Sequence, residues 1–213
     1  RSCAAICPTG AIQPPRDSTP LRLDMGLCIF CGACRAACPS GAVLFSRDHR
    51  LAAARREDLV VVPGSERVPP LLREDRRKCF SRSLKLRQVS AGGCNACEAD
   101  TNVLGTLAWD IGRFGIQFVA SPRHADGILV TGPVTENMRL ALLKTYAAVP
   151  SPKIVIAVGA CAISGGIYAG HPEAHGGLPG LLPVDLFIPG CPPHPLTILD
   201  GLLSALGRLK AVG

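Results

Sequence analysis

The stretch Gly92-Gly93-Cys94-Asn95-Ala96-Cys97-Glu98 places two thiols three residues apart in a glycine-softened turn, with a carboxylate directly behind the second. Working outward, two more cysteines stand in turns of the same kind, Gly159-Ala160-Cys161 with Ser164-Gly165-Gly166, and Pro189-Gly190-Cys191-Pro192-Pro193. Each of the three sites has glycine or proline beside the sulfur and follows a short apolar run, which is how loops at strand ends are written. Four thiolates from three such loops can enclose a single metal centre at one edge of a sheet. Spacing alone leaves structural zinc open beside iron and sulfide.

The flanking pattern supplies that sheet. Leu84 to Val89 alternates like a half-buried strand, and Gly115 to Ala120, Gly127 to Gly132, Ile154 to Val158 and Leu186 to Ile188 add further strand candidates. Between them the apolar spacing predicts a helix within 100–111, one from a Thr135 cap to Ala148, and a C-terminal helix carrying Leu196, Leu199, Leu202, Leu203 and Leu206. Strands alternating with helices imply an α/β layer around a mainly parallel sheet, where ligands gather beyond the carboxyl ends of the strands. The cysteine loops fall at those ends.

The 213 residues have room for that domain and a small second one. With 47% hydrophobic residues and only 4% aromatics, the core rests on Leu, Val, Ile and Ala. The net charge of +7 does not point to nucleic acid, because base-stacking aromatics are scarce and no nucleic-acid motif is present. No apolar run reaches the roughly 18 residues of a membrane span, and no secretory or twin-arginine signal is visible, so a cytoplasmic chain without a transmembrane segment is expected. Eleven cysteines in a reducing compartment read as metal ligands and not as disulfides.

The N-terminal cysteines carry the second decisive pattern. Cys28-Ile29-Phe30-Cys31-Gly32-Ala33-Cys34-Arg35-Ala36-Ala37-Cys38-Pro39 is a C-x2-C-x2-C-x3-C-P run, the bacterial ferredoxin spacing in which the fourth cysteine serves the other cluster. Cys3-Ala4-Ala5-Ile6-Cys7-Pro8-Thr9-Gly10-Ala11-Ile12 repeats Cys34 to Val43 at an offset of 31 residues. By the crossed pattern Cys7 joins Cys28, Cys31 and Cys34 around one [4Fe–4S] cluster, while Cys3 and Cys38 hold half of a second. The partners missing from that second site fall just before Arg1, so the chain reads as truncated there; counting a cluster at Cys94, Cys97, Cys161 and Cys191, two complete clusters are expected in this chain and a third in the untruncated protein. Residues 1–45 resemble the two-cluster ferredoxins, particularly the ferredoxin-like subunits of respiratory complex I and membrane-bound hydrogenases.

Residues 46–81 read as a linker or surface-hugging arm. A short strand is expected at Leu59 to Val62, Cys79 is expected as a structural thiol, and His49 as a solvated residue. The basic run Arg73, Arg76, Arg77, Lys78, Arg82, Lys85 and Arg87 suits either a solvated segment or an acidic docking partner.

From Arg82 onward four motifs in order, Cys94-Asn95-Ala96-Cys97-Glu98, Val130-Thr131-Gly132-Pro133-Val134-Thr135, Gly159-Ala160-Cys161 with Ser164-Gly165-Gly166, and Pro189-Gly190-Cys191-Pro192-Pro193, resemble one family. It is the small-subunit family shared by group 4 [NiFe]-hydrogenases, such as formate hydrogenlyase, and the B subunit of NADH-quinone oxidoreductase. The resemblance implies a flavodoxin-like domain over 82–213 whose Cys94, Cys97, Cys161 and Cys191 hold one proximal [4Fe–4S] cluster. The complex I branch normally has adjacent cysteines at the first site; C-x-x-C here is the hydrogenase arrangement. The resemblance also implies an electron-transfer subunit, peripheral on the cytoplasmic side of a membrane complex. Its partners would be a large catalytic subunit and further iron–sulfur and membrane subunits. Glu98 would have a proton-relay role, against the plainer reading of an acid favoured at a helix start. Gly92, Gly93, Gly159, Gly190 and Ser164 are expected to approach the cluster sulfides, and His194 to bond near the cluster or face the partner. His171 and His175 are expected as solvated loop residues, and Trp109 as core or interface. The alternatives are a complex-I-like subunit without a nickel partner and a zinc-stapled binding module.

Overall fold

The computed structural model describes residues 2–15 and 19–209. Arg1 and residues 210–213, the outer ends of the two expected domains, lie outside the described residues.

The larger domain is a five-stranded sheet of β4 (Leu84–Ser90), β5 (Ile116–Phe118), β6 (Gly127–Thr131), β7 (Ile154–Val158) and β8 (Leu186–Ile188). Every pairing is parallel and the order is β5-β4-β6-β7-β8, the flavodoxin-like arrangement in which strand order reverses between the first and third strands. The central strands β6 and β7 are buried at every residue, as their continuous apolar sequences require when helices cover both faces. Alternation along β7 sorts the two cores. Ile154, Ile156 and Val158 pack with Ile198, Leu199, Leu202 and Leu203 of α7 (Pro195–Ala205), while Val155 and Ala157 face Leu142 of α5 (Glu136–Ala148) and Ile163 of α6 (Ala160–Ser164).

One helix departs from the sequence expectation. In place of a helix within 100–111, α4 (Ala96–Val103) starts at the cysteine turn and stops where Gly105 N–H bonds Asn102 O and Thr106 N–H bonds Val103 O. Asn95, the residue before α4, sits at φ 71°, a left-handed conformation that asparagine tolerates better than most. Thr135 stands at the start of α5 without a side-chain cap bond; its methyl and hydroxyl close over Gly92, where a Cβ would come within 2.4 Å.

The smaller domain follows the cysteine repeat. Its helices are α1 (Ser2–Ala5) and α2 (Ala33–Ala36), joined where Ser2 Oγ donates to Ala37 O at 3.0 Å. Gly10 N–H bonds Cys7 O and Gly41 N–H bonds Cys38 O, with the two glycines at φ 64° and 63°. The three-stranded sheet is β1 (Ile12–Gln13), β2 (Arg22–Asp24) and β3 (Val60–Val61), antiparallel throughout. Strand β3 belongs to the segment expected as linker, so that segment is part of both domains. Arg56 clasps Asp24 with two bonds of 2.9 and 2.8 Å, and Ala53 exchanges backbone bonds of 2.9 and 2.8 Å with Phe187 on the edge strand β8. Beyond it, α3 (Glu74–Phe80) pairs its own charges, Lys78 with Glu74 and Arg73 with Asp75, and Arg76 reaches Asp185 and the Lys153 carbonyl. These pairs engage three of the seven cations in the basic run, Arg73, Arg76 and Lys78. Cys79 is exposed on α3, not packed as a structural thiol.

The domains meet at Gly26. Its carbonyl accepts from Ser164 Oγ at 2.8 Å, and a Cβ there would stand 2.9 Å from both Arg56 Cζ and Ile163 Cγ2. Ser164 is therefore spent on the domain contact, where the sequence suggested an approach to a cluster sulfide.

Candidate metal centres

Cys94 and Cys97 follow β4, Cys161 follows β7 and Cys191 follows β8, all at the carboxyl edge of the sheet. The first pair stands at the reversal between β4 and β6, the crevice where such sheets receive ligands. The four thiols act on one another. Cys97 is pushed up to about 12 by burial first, then by repulsion from Cys161, Glu98, Cys191 and Cys94. Cys161 rises to about 11 through burial and the charges of Cys191 and Cys94, and Cys191 rises through burial and the charge of Cys94. Thiols that oppose one another's ionisation are suited to a cationic inorganic core, which supplies the charge that lets them bind as thiolates.

The backbone leaves room for such a core. At φ 89°, Gly159 presents its Cα to Cys97, and an added Cβ would lie 2.5 Å from Cys97 Sγ; at Gly166 the same atom would lie 3.0 Å from Cys161 Sγ. The Gly159 N–H, expected to face a sulfide, instead bonds Ile188 O at 2.8 Å. Among the described residues no three His, Cys, Asp or Glu side chains are drawn together around a single-ion position. A four-iron cluster binds each thiolate through its own iron, so its ligand sulfurs stand farther apart than around one ion.

Glu98 is 6% exposed and turns inward. Its Oε1 accepts from Ser90 Oγ at 2.6 Å and Thr131 Oγ1 at 2.7 Å, the last residues of β4 and β6. Two hydroxyls from strands 41 positions apart would not suggest themselves as its partners from sequence; the only signal is that both strands end on a hydroxyl residue. Beside Cys191, His194 begins α7: its Nδ1 accepts from Leu196 N–H at 3.1 Å, and its ring meets the half-buried Trp109 edge-on with centroids 6.0 Å apart. His175 is not free in its loop, since Nε2 meets Glu136 Oε2 at 2.5 Å; His171 Nδ1 accepts from Glu173 N–H.

In the smaller domain Cys28 rises through burial, eased by the Phe30 N–H and reinforced by repulsion from Cys7, Cys34 and Cys31. Burial also opposes ionisation of Cys7, but hydrogen bonds from the Thr9, Ala11 and Ile12 backbone and the Thr9 hydroxyl outweigh it and hold Cys7 below the ordinary thiol. Cys38 repeats that turn: the Ser40 hydroxyl and the Val43 and Ala42 N–H groups bring it to about 7. Cys3 lies on α1, whose Ser2 hydroxyl bonds the carbonyl of Ala37 beside Cys38. A cleft of about 780 Å³ runs from this domain to the sheet edge, walled by Cys7, Cys28, Cys34, Phe30, Pro193 and His194.

Residues 94–205 match the family described as NADH ubiquinone oxidoreductase, 20 Kd subunit, and residues 1–43 match the 4Fe-4S dicluster domain. The chain belongs to the 20 kDa subunit family of NADH ubiquinone oxidoreductase. Within that family it is 43% identical to the Probable membrane-bound hydrogenase subunit mbhJ of Pyrococcus furiosus, over 62% of this chain and 79% of that one. It is 45% identical to formate hydrogenlyase subunit 7 of Escherichia coli, again over 62% of this chain but only 52% of the relative, so it spans about half of that protein's length. A chain in the structure of the membrane-bound sulfane sulfur reductase, an archaeal respiratory membrane complex, superposes with a TM-score of 0.54 at 35% identity, covering 62% of this chain and 72% of that one. The family resemblance, the α/β fold with its N-terminal iron–sulfur domain, and membership in the oxidoreductase complexes are thus borne out. No helix among the described residues is long and apolar enough to cross a membrane.

Proposed function

We propose that the chain is the electron-transfer subunit of a membrane-associated, group 4 [NiFe]-hydrogenase-like complex, formate hydrogenlyase being the model. In this reading Cys7, Cys28, Cys31 and Cys34 hold one [4Fe–4S] cluster and Cys94, Cys97, Cys161 and Cys191 hold the proximal one. Cys3 and Cys38 contribute to a further cluster whose other ligands are not in this sequence. Such clusters take up and release one electron at a time. The chain's own part is to position them, exclude water and set their surroundings. The apolar core beneath β4, β6 and β7 seats the proximal cysteines, and the positive-φ glycines let the backbone approach. The buried carboxylate of Glu98 adds negative charge beside Cys97. Its Oε1 is fixed by Ser90 and Thr131 while Oε2 makes no hydrogen bond among the described residues, which leaves Oε2 open to pass a proton on. The cytoplasmic face of a membrane, reached through partner subunits, is the proposed location.

The observation that carries this reading is the C-x-x-C pair at the strand-order reversal, whose Cys97 lies near enough to Cys161 and Cys191 for their charges to oppose its ionisation, in a chain more than 40% identical to hydrogenase-complex subunits over 62% of its length. The likeness to a chain of a membrane-bound sulfane sulfur reductase supports a second reading, the same wire serving a respiratory complex other than a hydrogenase, with a large subunit that needs no nickel. The partner decides between them. The complex purified without oxygen should be brown, bleach with dithionite, contain nickel and exchange hydrogen with deuterium. A brown complex with neither nickel nor exchange activity would favour the second reading, and a colourless zinc protein would sink both.

A further inference from the structure

Helix α7 is apolar over most of its length, yet Asp200 lies in its middle with 7% of its surface exposed. Asp200 Oδ2 has no hydrogen bond. What surrounds the carboxylate is charge from the connecting segment: Arg67 Nη2 stands 3.6 Å from Oδ2 and His49 Nε2 4.0 Å from Oδ1. Arg50 and Asp48 act on it from farther away, locked to each other by two bonds of 2.9 Å. A buried carboxylate without hydrogen-bond donors is costly, and such groups concentrate where charge has to change. His49 faces two ways. One side meets Asp200, and the residue also lines the cleft walled by Cys7, Cys28 and Cys34.

We propose that His49 and Asp200 form a proton-binding pair coupled to the electron held at the Cys7, Cys28, Cys31 and Cys34 centre, an inference that rests on the cluster reading above. With one more electron at that centre, supplied by a one-electron iron–sulfur donor, the pair would take one proton from solvent; with the electron passed on, the proton would return to water. Only an N–H or O–H bond forms and breaks. Negative charge added at the centre on the far wall of the cleft favours the protonated pair. Arg67 and Arg50 oppose uptake by favouring the ionised carboxylate, and Asp48 partly offsets them. Burial raises the proton affinity of Asp200 in the direction the coupling needs. The two groups share the site, so the proton belongs to the pair.

Redox titration of the intact complex, followed through the paramagnetic signal of the reduced N-terminal centre, tests this across about pH 5 to 8, where imidazole titrates. The midpoint potential should fall as pH rises, with a limiting slope of about 59 mV per tenfold change in proton activity for one electron. Asp200→Asn and His49→Gln should flatten that slope and leave the sheet-edge centre's pH response unchanged. His49 is half-exposed, so its variant keeps the experiment independent of any folding defect at Asp200. A potential in the unsubstituted chain that ignores pH would overturn the coupling, as would variants shifted by a constant with the slope intact, the signature of a structural clasp. A complex that lacks the N-terminal cluster signal but keeps the sheet-edge one would remove the cluster reading as well.

Discussion

Cys7 and Cys38 sit in matching turns whose hydroxyls and backbone N–H groups point at sulfur, and both are held below the ordinary thiol. Cys97 and Cys161, in the larger domain, are driven to about 12 and 11 by burial and by each other. One set contains two sulfurs prepared by local hydrogen bonds, Cys7 and Cys38, and one, Cys28, where burial prevails. The other is prepared by a sheet that brings distant loops together and supplies little to stabilise their charge. The lesson is that ligand spacing and ligand readiness are separate properties: a contiguous run can make its own thiolates, whereas a convergent site depends on the incoming core to make them.

The sharpest way to break this contrast is to alkylate iron-free, reduced protein at pH 8. Cys38 should be mostly thiolate, while Cys97 should be ionised in only roughly one molecule in 10⁴, so mass spectrometry should find Cys38 modified long before Cys97. Equal labelling rates would erase the distinction. A smaller effect is expected from Gly159→Ala, which forces a Cβ at φ 89° to within 2.5 Å of Cys97 Sγ. Left-handed strain of about 1–3 kcal/mol adds to the overlap with sulfur. The variant should lose the sheet-edge cluster and keep the N-terminal one, roughly halving the iron in a chain that holds four per centre; full iron content would show that the loop gives way. The mildest test is Gly26→Ala, where the new methyl meets Arg56 and Ile163. Overpacking of about 1–3 kcal/mol there should loosen the domain contact and speed proteolytic cleavage in residues 46–72, with both centres retained. Unchanged cleavage would mean that Ala53, Phe187 and the Arg56–Asp24 clasp hold the domains without it.

How much could be read in advance follows the same division. The N-terminal repeat was legible because its cysteines stand close together in the chain, and β7 because a fully buried strand leaves an unbroken apolar run. The cysteine loops were legible through glycine and proline beside sulfur. The helix expected within 100–111 failed because Val103, Leu104, Leu107 and Ala108 have helical spacing, yet the chain turns after Val103 and leaves Leu107 in solvent. The partners of Glu98 lay hidden because Ser90 and Thr131 become neighbours only once β4 and β6 pair. Asp200 left a faint mark, a lone acid in an apolar helix, but its facing residues come from a segment whose composition resembles a tether. The bridge from Ala53 to Phe187 left none, since backbone pairing at a sheet edge writes little into side chains.

That bridge has a consequence for any electron crossing between the domains. With the connecting segment pinned at β8 and clasped at Asp24, donor and acceptor never have to find each other by diffusion. Dilution and added salt, which slow encounters between separate carriers, should leave the internal hop untouched, and only entry and exit at the partner surfaces stay sensitive to the medium.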